Sequence, residues 1–413
     1  MRISKLAKIY TLKQIEVLKH VRRNKKLYIL ILHGAKRAGK TVTVIDIFLN
    51  ELREVKKRAE KFGVNEPQYI LASSSLSSID RNIFNELRNR WGIDPKLDKK
   101  NTFRLFGVRV CCFGHDNIGY LSKVRGFTSW GALINEGTMA NEEVFREILD
   151  RCSGVGSRII VDTNPDNPKH WLKKDYIDKA DNEIITQFQF ELDDNTFLDP
   201  ENVANRKATT PSGMFYDRNI RGLWVTADGI IYPDYNSKLH KVDNLDRFNF
   251  IQYFCGVDWG YEHYGSMVLF GLTDNDEVVL IKEITAQHKN IEWWAKKGQL
   301  IKENFGNILF YCDSARPEYV QEFNNKGLKA VNANKSVIEG ISTVATMIIS
   351  NKFYVYEKGI DIFEDQIYSY VWADGKDEPL KKNDDVMDAV RYAIHSKLSN
   401  FNRATAIKGL KVW

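Results

Sequence analysis

The 413-residue chain has little cysteine: five residues, of which only Cys111 and Cys112 are adjacent, and no C-x-x-C pair. So odd and unpatterned a set excludes a disulfide framework and a zinc knuckle, and it fits a reducing cytoplasm. No apolar run approaches the roughly 18 residues of a membrane span. The stretch MRISKLAKIYTLKQ carries charges where a signal peptide needs its apolar centre, which predicts a soluble, non-exported protein. There is also no internal repeat or low-complexity tract. What is present is a globular composition, 43% hydrophobic, 12% aromatic and 28% charged, which excludes wholesale disorder. Single cores stop growing near about 250 to 300 residues, so the length predicts two domains.

The net charge of +6 hides an asymmetry. Residues 1–130 hold 27 Lys and Arg against 11 Asp and Glu, and the rest hold 33 against 43. A cationic front raises the local concentration of phosphate and suggests nucleic acid, although charge alone also suits a solubilising surface.

Residues 27–33 (LYILILH) read as a buried strand, GAKRAGKT follows at once, and residues 41–62 carry Val44, Ile47, Phe48, Leu52 and Val55 at helical spacing. Further strands are expected at 69–73, 104–113, 131–135 and 158–164, with helices between several of them. This predicts a mostly parallel sheet covered on both faces. From about residue 193 the texture loosens into turn formers and aromatics. The expected division is a first αβ domain over 1–228, a linker over 229–245 and a second αβ domain over 246–413. In the latter, strands at 254–260, 266–272 and 277–284 precede alternating helices and strands, which is the element order of an RNase H-like fold.

Gly34, Ala35, Lys36, Arg37, Ala38, Gly39, Lys40 and Thr41 satisfy G-x-x-x-x-G-K-[ST] at every fixed position, between a strand and a helix. Glycines let backbone N–H groups curl around phosphate oxygens, the helix start adds positive potential, Lys40 reaches the β and γ phosphates, and Thr41 ligates Mg2+. ATP with Mg2+ is the expected ligand. The strand GALIN then offers Glu136 to polarise the attacking water. Asn135 stands where a magnesium-holding Asp is usual, so Asn135 orients a metal-bound water or Glu136 serves both roles. Arg37 reads as an arginine finger in cis or as a solvated or DNA-facing cation. Gln14 is a candidate reader of the adenine edge or simply an exposed helix residue.

In the second half, Asp258 and Asp313 close apolar strands, and Asp384, Asp385 and Asp388 open the last helix. Singly they suit turns and an N-cap. Together, on adjoining strands facing a helix start, they predict a site for two Mg2+ or Mn2+ ions about 3.5 to 4 Å apart and phosphodiester hydrolysis.

These two sites in this order resemble the large terminase subunit of tailed bacteriophages over nearly the whole chain. VDTNPDNPKHWL (161–172), KVRGFTSWGALINEGTMANEEVF, GLWVTADGIIYPDY, VDWGYEHYGS and DDVMDAVRYAIH carry the likeness. The resemblance implies an N-terminal P-loop ATPase of the ASCE type and a C-terminal nuclease. It makes Thr163 and Asn164 sensors of the γ-phosphate, and Asp258, Asp313 and Asp385 metal ligands with Asp388 close behind. It further implies ATP-driven translocation of double-stranded DNA into a procapsid and cutting of concatemers. The implied partners are a small terminase subunit and the portal protein, with a pentameric ring on the portal and a monomer as the alternative in solution. The implied place is the cytoplasm of the infected bacterium, not the mature virion. A repair or recombination ATPase fused to a resolvase-type nuclease shares both sites but predicts a second recA-like domain. A DNA-binding adaptor with lapsed sites has no need of Lys40, Glu136, Asp258 and Asp313 together.

Overall fold

The computed structural model describes residues 7–126, 128–382 and 384–408, with side chains given up to residue 399. The chain divides into two compact units, Met1–Lys207 with Tyr216–Val225, and Ala208–Phe215 with Thr226–Trp413.

The first unit holds β1 (Ile29–Gly34), β2 (Gln68–Ser73), β3 (Thr102–Leu105), β4 (Val108–Gly114), β5 (Ser129–Asn135), β6 (Ile159–Thr163) and β7 (Ile185–Phe190). They form one sheet in the order β3-β4-β2-β5-β6-β1-β7, parallel except for β3 against β4. The apolar run of β1 is continuous because both of its faces are covered. Leu30 and Leu32 join the cluster of Val44, Phe48 and Leu52 from the helix α1 (Lys40–Lys61). Ile29 and Ile31 join that of Val144, Phe145 and Ile148 from α2 (Glu142–Arg151). All ten side chains are at most 3% exposed, and burying each contributes about 1.5–3 kcal/mol.

Residues 104–113, expected as one strand, are a hairpin: Phe106 (φ 51°) and Gly107 (φ 76°) turn the chain with two left-handed residues, as a two-residue type I′ loop requires. β7 was not anticipated, because ITQFQF alternates polar and apolar residues along a sheet edge.

The second unit holds β8 (Lys241–Val242), β9 (Phe250–Asp258), β10 (Gly265–Thr273), β11 (Val278–Ala286), β12 (Leu309–Cys312), β13 (Lys329–Asn332) and β14 (Phe353–Tyr356), in the order β13-β12-β9-β10-β11-β14-β8. β9, β10 and β11 are antiparallel neighbours, and β12 and β13 continue parallel to β9. That is the expected three strands followed by alternating helix and strand, widened at one edge by β14 and β8. Residues 229–245 are built into this unit. Tyr232 and Tyr235 are buried, Ile230 bridges to Val371, and β8 pairs with β14. The last helix, α3 (Asp385–Lys408), lies hard against β9: a Cβ on Gly256 would stand 2.0 Å from the carbonyl oxygen of Ala389. All five cysteines are buried thiols, and no helix among the described residues is long and apolar enough to cross a membrane.

At the end of β1, His33 is 3% exposed. Trp224 Nε1, which can only donate, bonds Nδ1 at 3.1 Å, so Nε2 carries the proton and donates it to Gln187 Oε1 at 2.8 Å. Burial lowers the imidazole pKa to about 4. Between pH 6.5 and 4 the unfolded chain therefore binds a proton that the folded one refuses. As the pH is lowered through that window, this residue costs about 1.4 kcal/mol of stability per unit. Urea unfolding followed by circular dichroism should show the His33→Gln variant lacking this one-proton slope. Equal slopes in the two proteins would mean that His33 titrates freely when folded.

Candidate active sites

The phosphate-loop candidates meet at the carboxyl end of the first sheet. Gly39 takes φ 91° to start α1, with Gln14 Nε2 2.8 Å from where its Cβ would be. Lys36 and Arg37 are exposed at the mouth of a cavity that Ala38, Lys40, Thr41, Asn135, Glu136, Asp162, Thr163 and Asn164 also line. Arg37 adopts φ 62° and its carbonyl accepts from Asn195 Nδ2 at 2.7 Å. The Lys40 ammonium is buried and donates to the carbonyls of Gly34 (2.8 Å) and Ala35 (2.6 Å) and to Asn164 Oδ1 (3.1 Å). Burial pulls its pKa down to about 8, against the pull of the Asp162 carboxylate.

The neighbouring strand ends are tied to each other. Register sets Asn135 of β5 beside Asp162 of β6, and Asp162 beside Leu32 of β1. Asn135 Nδ2 donates to Asp162 Oδ1 at 2.9 Å, while its Oδ1 accepts from Ser73 Oγ (2.9 Å) and Asn82 Nδ2 (3.0 Å). The amide oxygen that could have oriented a metal-bound water is thus taken up by two donors. Thr41 Oγ1 donates to Asp162 Oδ2 at 2.7 Å. Glu136 sits in the left-handed region (φ 59°), a strained backbone of the kind that clusters at functional sites, and accepts from Ser74 Oγ at 2.8 Å. Thr163 Oγ1 accepts from the Thr138 N–H at 2.9 Å, so the Thr163-Asn164 segment links the loop after Glu136 to Lys40.

Gln14 is neither exposed nor among the residues lining the cavity. Its Oε1 accepts from the Thr11 N–H at 2.9 Å in a capping box, and its Nε2 donates to the Gly39 carbonyl at 3.0 Å. Its visible role is to fasten the N-terminal helix to the phosphate loop. The residues T-L-K-Q carried that capping signal. Asp162, Ser74 and Asn82 were missed: Asp162 lies in the quoted VDTNP, and nothing local distinguishes the two others.

In the second unit, the N–H of Asp313 donates to the Val257 carbonyl at 2.8 Å, which places Asp313 one step past β12 and beside Asp258 at the end of β9. Burial, and then the carboxylates of Asp388, Asp313 and Asp385, push the Asp258 pKa well above the ordinary range. Burial also raises that of Asp385, which His263 partly offsets. The expected residues therefore converge.

Lysines already face them. Lys335 Nζ lies 2.5 Å from Asp313 Oδ1, and Lys381 Nζ lies 3.0 Å from both Asp384 Oδ2 and Asp388 Oδ2. Asp388 Oδ1 accepts from the buried Arg391 at 2.9 Å, so both of its oxygens are engaged, which suits a brace better than a ligand. Among the described residues, no three His, Cys, Asp or Glu side chains stand ready to grip one ion. The donors are hard oxygens of the kind Mg2+ and Mn2+ take.

Residues 31–238 match the family described as "Terminase large subunit, T4likevirus-type, N-terminal". The chain belongs to the large terminase subunit family. A solved large terminase from a thermophilic bacteriophage is 25% identical, with a TM-score of 0.79 over 94% of this chain and 99% of that one. The structure of that terminase in complex with ATP-gamma-S gives 26% identity and a TM-score of 0.77, over 94% and 99% of the two chains. Its ADP complex gives 25% and 0.77, over 94% and 100%. No curated protein matches the sequence.

In this large terminase chain, Arg391→Met strands the buried carboxylate of Asp388 and should cost about 3–5 kcal/mol. Lys381→Met, whose side chain is 69% exposed, should cost less than about 1 kcal/mol. Chemical denaturation compares them, and equal costs would remove the buried Arg391–Asp388 pair as the brace.

Proposed function

We propose that this large terminase chain is an ATP-hydrolysing motor that moves double-stranded DNA into a procapsid and carries a metal-dependent endonuclease in its second unit. The observation that carries the reading is the pairing, in one chain, of a buried Lys40-Thr41-Asp162 phosphate pocket beside Glu136 with three carboxylates, Asp313, Asp385 and Asp388, converging on Asp258. The thermophilic phage terminase, similar over its whole length, is known in complexes with ADP and ATP-gamma-S, which supports nucleotide binding here.

The loop N–H groups and Lys40 bind the phosphates. Glu136, held by Ser74, takes a proton from the attacking water. Thr163 and Asn164, bonded to Thr138 and Lys40, carry the change at the γ-phosphate into the strand end. Arg37, exposed at the mouth, is a cation for phosphate or DNA. Thr41 and a strand-end acid would hold a magnesium ion, which would supply charge neutralisation at the phosphates. Mg2+ or Mn2+ would be held in the second unit by Asp258, Asp313 and Asp385. The basic front grips the DNA backbone without reading its sequence, as a translocating motor requires. The partners are the small terminase subunit and the portal protein, with a pentamer assembling on the portal in the cytoplasm of the infected bacterium. The alternative repair enzyme needs a second recA-like domain, whereas the centre of the second sheet is the three antiparallel strands β9, β10 and β11.

Lys40→Ala should abolish ATP turnover and leave Mn2+-dependent nicking of plasmid DNA intact. Asp258→Ala and Asp313→Ala should do the reverse. Loss of both activities in a well-folded Lys40→Ala protein contradicts separate sites, and cutting that survives Asp313→Ala removes that residue from the metal site.

A further inference from the structure

Most phosphate loops of this type have an acidic residue on the strand that ends in the catalytic glutamate, and there it helps the loop hydroxyl hold magnesium. This chain has Asn135 at that place, and the amide cannot take over the task. Its oxygen is turned to Ser73 and Asn82, and a carboxylate partner accepts only the N–H2 end, which fixes the amide's orientation. One strand over, Asp162 is 2% exposed, lines the same cavity as Thr41 and Glu136, and accepts from the Thr41 hydroxyl at 2.7 Å.

The cross-strand register makes Asn135 and Asp162 immediate neighbours. Lys40 donates to Gly34, Ala35 and Asn164, so among the described residues the Asp162 carboxylate takes its hydrogen bonds from two neutral donors, and the Lys40 ammonium acts on it only through space. A buried carboxylate that touches the loop hydroxyl, and whose one nearby cation, Lys40, spends its hydrogen bonds elsewhere, is a poor choice for mere packing, since burying charge is costly.

We infer that Asp162 replaces Asn135 as the acidic partner of the nucleotide's magnesium, so that carboxylate and amide have exchanged places between adjacent strands. The inference rests on the nucleotide reading of this pocket. Asn135 becomes the positioning residue, holding the Asp162 carboxylate against Thr41.

The test is calorimetric titration of the full chain with the non-hydrolysable ATP analogue AMP-PNP, once with Mg2+ and once with EDTA. In Asp162→Asn the gain in affinity that Mg2+ confers over EDTA should shrink by about ten- to a hundredfold relative to wild type. The double exchange Asn135→Asp/Asp162→Asn, which keeps one carboxylate and one amide in the buried pair, should restore the gain. If the single variant does not fold, the double exchange carries the test: a wild-type gain supports the inference and its absence overturns it. An Asp162→Asn protein that keeps the full gain, or that weakens equally in Mg2+ and EDTA, overturns it and leaves Asp162 as a brace for Thr41. Absence of AMP-PNP binding by wild type under both conditions instead defeats the nucleotide reading, and the inference with it.

Discussion

One buried carboxylate holds the first unit's site together. Asp162 bonds Thr41 of the phosphate loop and Asn135 of the neighbouring strand, and through Asn135 the network reaches Ser73 of β2 and Asn82. The parallel ladder makes this possible. With β6 between β1 and β5, strand ends from three separate chain segments fall side by side, at the roughly 4.8 Å spacing of paired strands. Lys40, Glu136 and Thr163 are positioned around this network through the loop, the left-handed turn after β5, and Thr138. Because the strands beneath are packed on both faces, the strand ends have little freedom to drift, and the polar network inherits the rigidity of the apolar core.

The second unit meets the opposite difficulty. There several carboxylates crowd one place, and burial, then their repulsion, raises the Asp258 pKa. The chain meets this with cations of two kinds. Arg391 is buried with Asp388, with its guanidinium also bonded to the carbonyls of Lys335 and Ser336, so it belongs to the fold. Lys335 and Lys381 are 41% and 69% exposed and reach in from the solvent side. A long exposed lysine gives up such a contact at little cost, whereas a buried guanidinium does not. Asp313 is therefore open to exchange of its partner for another cation, and Asp388 is not.

Legibility in the sequence followed the range of the interaction. The phosphate loop, the continuous run of β1 and the helix after it were readable because their signals are local: a glycine pattern, a doubly buried strand and a 3.6-residue period. The carboxylates closing β9 and β12 were readable once the element order was known, since the order fixes which strands adjoin. Gln14 is buried rather than exposed, and the local T-x-x-Q pattern of its capping box accounts for its placement beside Gly39. Asp162 escaped because its meaning depends on register across three strands. In sequence it is one acid in a polar segment, and only the pairing Asn135↔Asp162 shows that it stands beside the place where an acid is missing. The paired partners of Asp388 and Asp313 were hidden for the same reason. Lys335 and Asp313 come from different segments, and Arg391 is an unremarked member of a helix.

The arrangement at the end of β5 and β6 also conserves charge. Lys40 is one buried cation, and Glu136 is already a second acid near Asp162, raising its pKa after burial has done so. An aspartate at 135 with Asp162 retained would place two carboxylates on paired strands, with Glu136 adjoining, around a single lysine; such like-charge pairs cannot both stay ionised in a dry site. An amide at both positions would leave Thr41 without its charged acceptor. One carboxylate and one amide is the combination that places a single charge beside Lys40 and gives Thr41 a charged acceptor, and the Asn135–Asp162 register sets the two side chains within one hydrogen bond of each other.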